Sequence, residues 1–127
     1  MQYLKKVAVV AAIFAAVSLN AAHAETVKIA LVVKALGIGF FEAANKGAGE
    51  AAKELGNVEI IYTGPTDTTA EGQIEVINAL IAQNVNAIAV SANDKDALVP
   101  TLKKAMSRGI TVISWDSGVA GSDCIGE

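Results

Sequence analysis

The chain has 127 residues, 53% hydrophobic, 5% aromatic and 18% charged, with a formal net charge of −3. Its mean hydropathy of +0.45 would suit a membrane protein, yet the longest uninterrupted apolar run, Val7 to Val17, is 11 residues, and a helix needs about 20 to span a bilayer. Scattered lysines on an acidic chain form no basic stripe that could displace counterions from phosphate, which excludes nucleic acid as a partner.

The first element is a secretory leader. Lys5 and Lys6 precede the apolar run, and Ala22-His23-Ala24 supplies the small residues of a cleavage site, so residues 1–24 read as a signal peptide cut after Ala24. Residues 25–127 are then one domain, long enough for a single core and too short for two. The leader takes with it His23, the only histidine, and leaves Cys124 as the lone cysteine. A Ser-His-Asp triad, a Cys-His pair, a His/Cys zinc cluster and an internal disulfide are thereby excluded from the mature chain. No cysteine follows the cut to carry a lipid, so a soluble periplasmic protein is expected.

Four β-branched runs read as strands: 27–33, 58–62, 86–91 and 110–115. The first, third and fourth are apolar on both faces, the pattern of strands covered by helices on both sides of a parallel sheet. Between them, Phe40, Ala44, Ala48, Ala51, Ala52 and Leu55 recur at helical spacing before Gly56, a residue suited to a left-handed helix end. Gly47 and Gly49 weaken that helix and are read as places of close packing on the sheet. The clearest helix runs over 70–83, with Ala70, Ile74, Ile77 and Ile81 on one stripe and Thr68 or Thr69 as N-cap. A third runs over 97–108 with Leu98, Leu102, Ala105 and Met106 apolar, and Pro100 is tolerable there only in or beside the first turn. The β-α-β-α-β-α-β order and right-handed crossovers predict an α/β fold with a doubly wound parallel sheet of four strands and three helices. After the fourth strand the segment 121–127 offers no helix to cover the sheet, and a truncated or frame-altered product is expected.

Ligands of open parallel sheets bind outside the carboxyl ends of the strands, near the point where strand order reverses. Those ends hold Lys34, Gly37, Gly39, Phe40 and Phe41; Thr63 to Asp67; Ala92, Asn93 and Asp94; and Asp116 with Ser117. Gly37-Ile38-Gly39 suggests a dinucleotide fingerprint, but Glu42 stands where the third glycine belongs and would oppose a phosphate. The glycines are better explained as a tight turn. Consecutive helical residues point about 100° apart, so Phe40 and Phe41 either both pack inward or divide, one inward and one toward the cleft, where a flat ring suits the C–H face of a sugar. Asp116 is a turn residue or an acceptor for two hydroxyls. Lys34 is a solvated strand-end lysine or a donor to a ligand oxygen. Asn93 and Asp94 read as an N-cap for the third helix, with Asn93 also a candidate ligand contact. Thr66 and Asp67 read as capping residues, and Trp115 as core with an edge that could line the cleft.

Leu31-Val32-Val33-Lys34-Ala35-Leu36-Gly37-Ile38-Gly39-Phe40-Phe41, Tyr62-Thr63-Gly64-Pro65-Thr66, Val90-Ser91-Ala92-Asn93-Asp94 and Ser114-Trp115-Asp116-Ser117-Gly118 together resemble the type I periplasmic sugar-binding proteins of ABC importers. Within the ribose-binding class they resemble most the branch of rhamnose-binding proteins and autoinducer-2 receptors. The resemblance implies a partial N-terminal lobe of a two-lobed, hinged receptor, and the family pattern is read as ending at about Gly121. It implies Lys34 and Asp116 as ligand contacts, Phe40 and Phe41 as stacking residues, and a small sugar and an ABC permease as partners, with no cofactor and no catalysis. Rhamnose is the leading ligand, with autoinducer-2 or another pentose or hexose as the alternative. A transcription regulator of the same receptor fold lacks a helix-turn-helix ahead of the first strand here. An enzyme of nucleotide or carboxylate mechanism has no partner for Asp116.

Overall fold

The computed structural model describes residues 24–119; the leader, including His23, and the tail from residue 120, including Cys124, lie outside the described residues. The elements alternate as β1 (Val27–Val32), α1 (Gly39–Leu55), β2 (Val58–Thr63), α2 (Ala70–Ala82), β3 (Ala87–Val90), α3 (Val99–Ser107) and β4 (Thr111–Ser114). The strands form one parallel sheet in the order β2-β1-β3-β4. From β1 the chain winds first toward β2, then back across to β3 and β4. Right-handed crossovers in opposite directions put α1 on one face and α2 with α3 on the other.

The core lies under α2 and α3. Ile77, Leu80 and Ile81 of α2 and Leu102 and Ala105 of α3 pack on Ala30 and Val32, Ile88 and Val90, and Val112. Alternate residues of a strand face opposite ways, so each strand gives this layer every second side chain. Thr69 caps α2, its Oγ1 accepting from Gly72 N–H at 3.2 Å, and Asp67 Oδ1 in turn accepts from the Thr69 hydroxyl at 2.8 Å. Thr66 takes no part in that cap. No described helix is long and apolar enough to cross a membrane.

The other face departs from expectation. Along β4, Thr111 and Ile113 are exposed while Val112 and Ser114 are buried, so this strand is covered on one side only among the described residues. The physical reason is that α1 packs against β2, at the far edge from β4. The apolar spacing of α1 likewise misleads: Phe40 and Leu55 are exposed and Phe41 is the one buried residue of that helix. Gly47 and Gly49 do not mark close packing, since a Cβ on either would meet open space.

α3 starts at Val99, two residues later than its apolar spacing indicates. Pro100 has no N–H, so the helical ladder opens with Leu102 N–H donating to Leu98 O at 3.0 Å. The preceding turn is held by Asp94, whose Oδ1 accepts from Ala97 N–H at 2.8 Å and Asp96 N–H at 2.9 Å. These bonds, that from Ala97 foremost, hold the Asp94 carboxyl below its ordinary range. The capping role expected of the Asn93–Asp94 pair thus falls to Asp94, one turn ahead of the helix proper.

Candidate functional site

The strand order reverses between β1 and β3: β2 lies beyond one and β4 beyond the other. Parallel pairing there runs from Ile29↔Ala87 to Val32↔Val90, after which the two chains part. Side chains from the ends of β1, β3 and β4 meet there. Lys34 Nζ lies 3.6 Å from Asp116 Oδ2, with both side chains 31% exposed. Asp116 Oδ2 also accepts a hydrogen bond from Ser91 Oγ at 2.7 Å. Three strand ends therefore converge on one carboxylate at the crevice where such sheets bind their ligands.

The backbone presents Asp116 in an uncommon way. It has φ of 60°, and Ser117 N–H donates across it to Trp115 O at 2.6 Å. An i to i+2 bond at positive φ is the rarer, strained hand of the γ-turn. Strain of this kind in a non-glycine residue persists only where the surroundings over-determine it, and such residues cluster at ligand clamps. The Ser91 hydroxyl bond is the foremost cause holding the Asp116 carboxyl below its ordinary range, with the charge of Lys34 adding to it. An ionised acceptor flanked by an ammonium, and open to solvent on its remaining side, suits neutral hydroxyls.

An aromatic platform adjoins this pair. Phe41 is 3% exposed and Phe40 60% exposed, so the two rings divide between core and cleft. Their centroids lie 5.2 Å apart in an edge-to-face arrangement. Phe40 stacks on Trp115 at 6.2 Å with 20° between ring planes, while Phe41 meets Trp115 edge-on at 5.7 Å. Trp115 is half-buried, and its Nε1–H is buried without a hydrogen-bond partner among the described residues. The platform's base is tied down by Glu42, whose Oε1 accepts from Tyr62 Oη–H at 2.9 Å and from Gly37 N–H at 3.3 Å. That carboxylate occupies the loop where a dinucleotide phosphate would have to sit. Gly37 has φ of 82°, which is the tight turn expected of it.

Asn93 stands beside the Lys34–Asp116 pair, tied to it through the Lys34 backbone. Its Nδ2 donates to Lys34 O at 2.8 Å and to Thr69 O at 3.1 Å, so the amide nitrogen is engaged with backbone. Two residues escape a reading of the sequence: Ser91, which reads as a strand end, and Gln73, a fully buried amide behind the crevice. Gln73 carried one signal, a polar side chain one turn before Ile77 on the apolar stripe of the clearest helix. Among the described residues, no three His, Cys, Asp or Glu side chains are grouped to hold a metal ion.

The described residues thus place a polar pair and an aromatic platform at the switch point of a parallel α/β sheet. The chain belongs to the periplasmic binding protein domain family, which matches residues 29–126 and so continues past Gly121, where the family pattern was expected to stop. It is 38% identical over 104 residues to the D-ribose/D-allose-binding protein of Pseudomonas aeruginosa, covering 78% of this chain and 33% of that one. Among solved structures it is similar to LsrB from Clostridium saccharobutylicum in complex with AI-2, with a TM-score of 0.71 and 38% identity over 73% of this chain and 28% of that one. It is also similar to an ABC transporter solute-binding protein from Clostridium phytofermentas with bound L-rhamnose, with a TM-score of 0.66 and 36% identity over 76% of this chain and 30% of that one. The chain spans about a third of the length of these relatives, which are solute-binding proteins and not enzymes.

Proposed function

We propose that this chain is part of the substrate-binding component of an ABC sugar importer, and that it holds a small neutral sugar in the periplasm for delivery to an inner-membrane permease. The observation that carries this reading is the Lys34–Asp116 pair, 3.6 Å apart at the switch point beside the exposed ring of Phe40. Asp116 accepts from sugar hydroxyls, Lys34 donates to a ring or hydroxyl oxygen, and Phe40 lies against the C–H face. L-Rhamnose is the leading ligand. The similarity to the LsrB complex makes AI-2 the alternative, and other pentoses and hexoses follow. Residues 1–24 are a cleaved leader in this reading, and N-terminal sequencing of exported protein checks the cut after Ala24.

A receptor of this kind gains affinity by closing a second lobe over the ligand and excluding water. A micromolar complex needs about −8 kcal/mol. One aromatic face and two solvent-open charged groups, net of immobilisation, leave this chain binding near or above about 1 mM. Chemical-shift titration of the isotope-labelled chain with L-rhamnose, AI-2, D-ribose and D-allose tests the proposal. Shifts concentrated at Lys34, Phe40 and Asp116 and abolished by Asp116→Ala support it; no response to any of the four refutes it.

A further inference from the structure

We propose that Gln73 is the positioning residue of this site: its amide fills the fork where β1 and β3 part and so sets where Lys34 and the Ser91–Asp116 pair stand. This rests on reading that pair as the sugar site. Gln73 is 0% exposed, and its three side-chain hydrogen bonds all reach the segments that build the site. Nε2 donates to Val33 O at 3.0 Å and to Ser91 O at 2.7 Å, and Oε1 accepts from Asn93 N–H at 2.8 Å. The last ladder bond between the two strands is Ser91 N–H to Val32 O at 2.9 Å. Just beyond it, the carbonyls of Val33 and Ser91 both accept from the Gln73 amide of the helix, and one NH2 group satisfies both.

Each of those contacts sits one step from a ligand-facing group. Val33 precedes Lys34 in the chain. Ser91 carries the hydroxyl that holds Asp116 Oδ2. Asn93 passes the connection on through Nδ2 to Lys34 O. A side chain of the same volume without polar atoms would leave two buried carbonyls and an N–H unpaired, and the fork would have to open or close to find them partners. The spacing of Lys34 and Asp116 would shift with it.

The experiment uses the 127-residue chain with Gln73→Met, which keeps size and loses all three bonds, and Ile77→Val, a core change one turn along the same helix, as control. Carbon-detected NMR follows the Asp116 carboxyl through its titration, and a second arm titrates each protein with L-rhamnose and D-allose. In Gln73→Met the Asp116 midpoint rises by about half a unit, a roughly threefold change in proton affinity, and the response to whichever sugar the parent binds weakens about tenfold. In Ile77→Val, at an equal fall in Tm, neither moves. An unchanged midpoint in folded Gln73→Met, or an equal rise in Ile77→Val, overturns the proposal. If Gln73→Met does not fold, the parent chain decides: its Gln73 amide proton signals must shift as Asp116 titrates, and indifference to that titration overturns the inference. If neither sugar binds the parent, the Asp116 titration still decides the role of Gln73.

Discussion

Ser91 Oγ and Lys34 Nζ meet the same oxygen of Asp116, at 2.7 Å and 3.6 Å. One carboxylate oxygen is thus fixed by the protein from two strands. The folded chain holds the Asp116 carboxyl below its ordinary range, by the Ser91 bond first and the Lys34 charge after it. A depressed folded value means that the unfolded chain binds the proton more tightly. The stability this group contributes is therefore complete above about pH 4 and is lost as the pH falls through the lower folded midpoint. Ser91→Ala raises that midpoint toward the ordinary range and shifts the acid loss to higher pH, as NMR titration of Asp116 and acid unfolding will record.

The two adjacent phenylalanines differ sharply in burial, 3% exposed for Phe41 and 60% for Phe40. Phe41→Ala removes a buried ring and costs about 3–5 kcal/mol, measured as a fall in the urea midpoint. Phe40→Ala removes a ring that is 60% exposed and changes stability by no more than about 1 kcal/mol. It does, however, alter the emission of Trp115, the only tryptophan, and on the proposed function it weakens sugar binding.

Partial burial first, then the hydrogen bond and charge of Glu42, push the Tyr62 phenol up to about 12. Because the folded chain holds this proton more tightly than the unfolded chain, whose tyrosine titrates near about 10, the contribution to stability is complete below about pH 10. It is lost as the pH rises through about 12. Glu42→Gln lowers the Tyr62 midpoint, as seen by alkaline difference absorbance, with Tyr62→Phe assigning the signal against Tyr3.

Gly64 lies where the end of β2 crosses close to β1. A Cβ there would stand 2.8 Å from Val33 O and 2.9 Å from Val33 Cγ2. Backbone on one side leaves little room to adjust, so Gly64→Ala costs about 1–3 kcal/mol in a urea titration. It also displaces Val33, the residue before Lys34. Gly47→Ala in exposed α1 does the opposite, raising stability by up to about 1 kcal/mol.

Hydrophobic periodicity and punctuation were enough to determine the element order, the parallel sheet and the strand ends at which Lys34, Phe40 and Asp116 emerge, because each depends on local pattern and on the handedness of crossovers. The resemblance carried by the four strand-end blocks points to a sugar-binding family for the same reason: the residues that carry it lie within short contiguous segments. Tertiary structure alone decided which side of the sheet is covered, since that depends on where α1 comes to rest. It alone divided Phe40 from Phe41, placed Ser91 on the carboxylate, and joined Gln73, which escapes a reading of the sequence, and Asn93 to backbone across strand ends. Those partnerships join residues 18 to 59 positions apart, and no periodicity along a chain encodes which buried amide will face which carbonyl; only the packed sheet and helix bring them within reach.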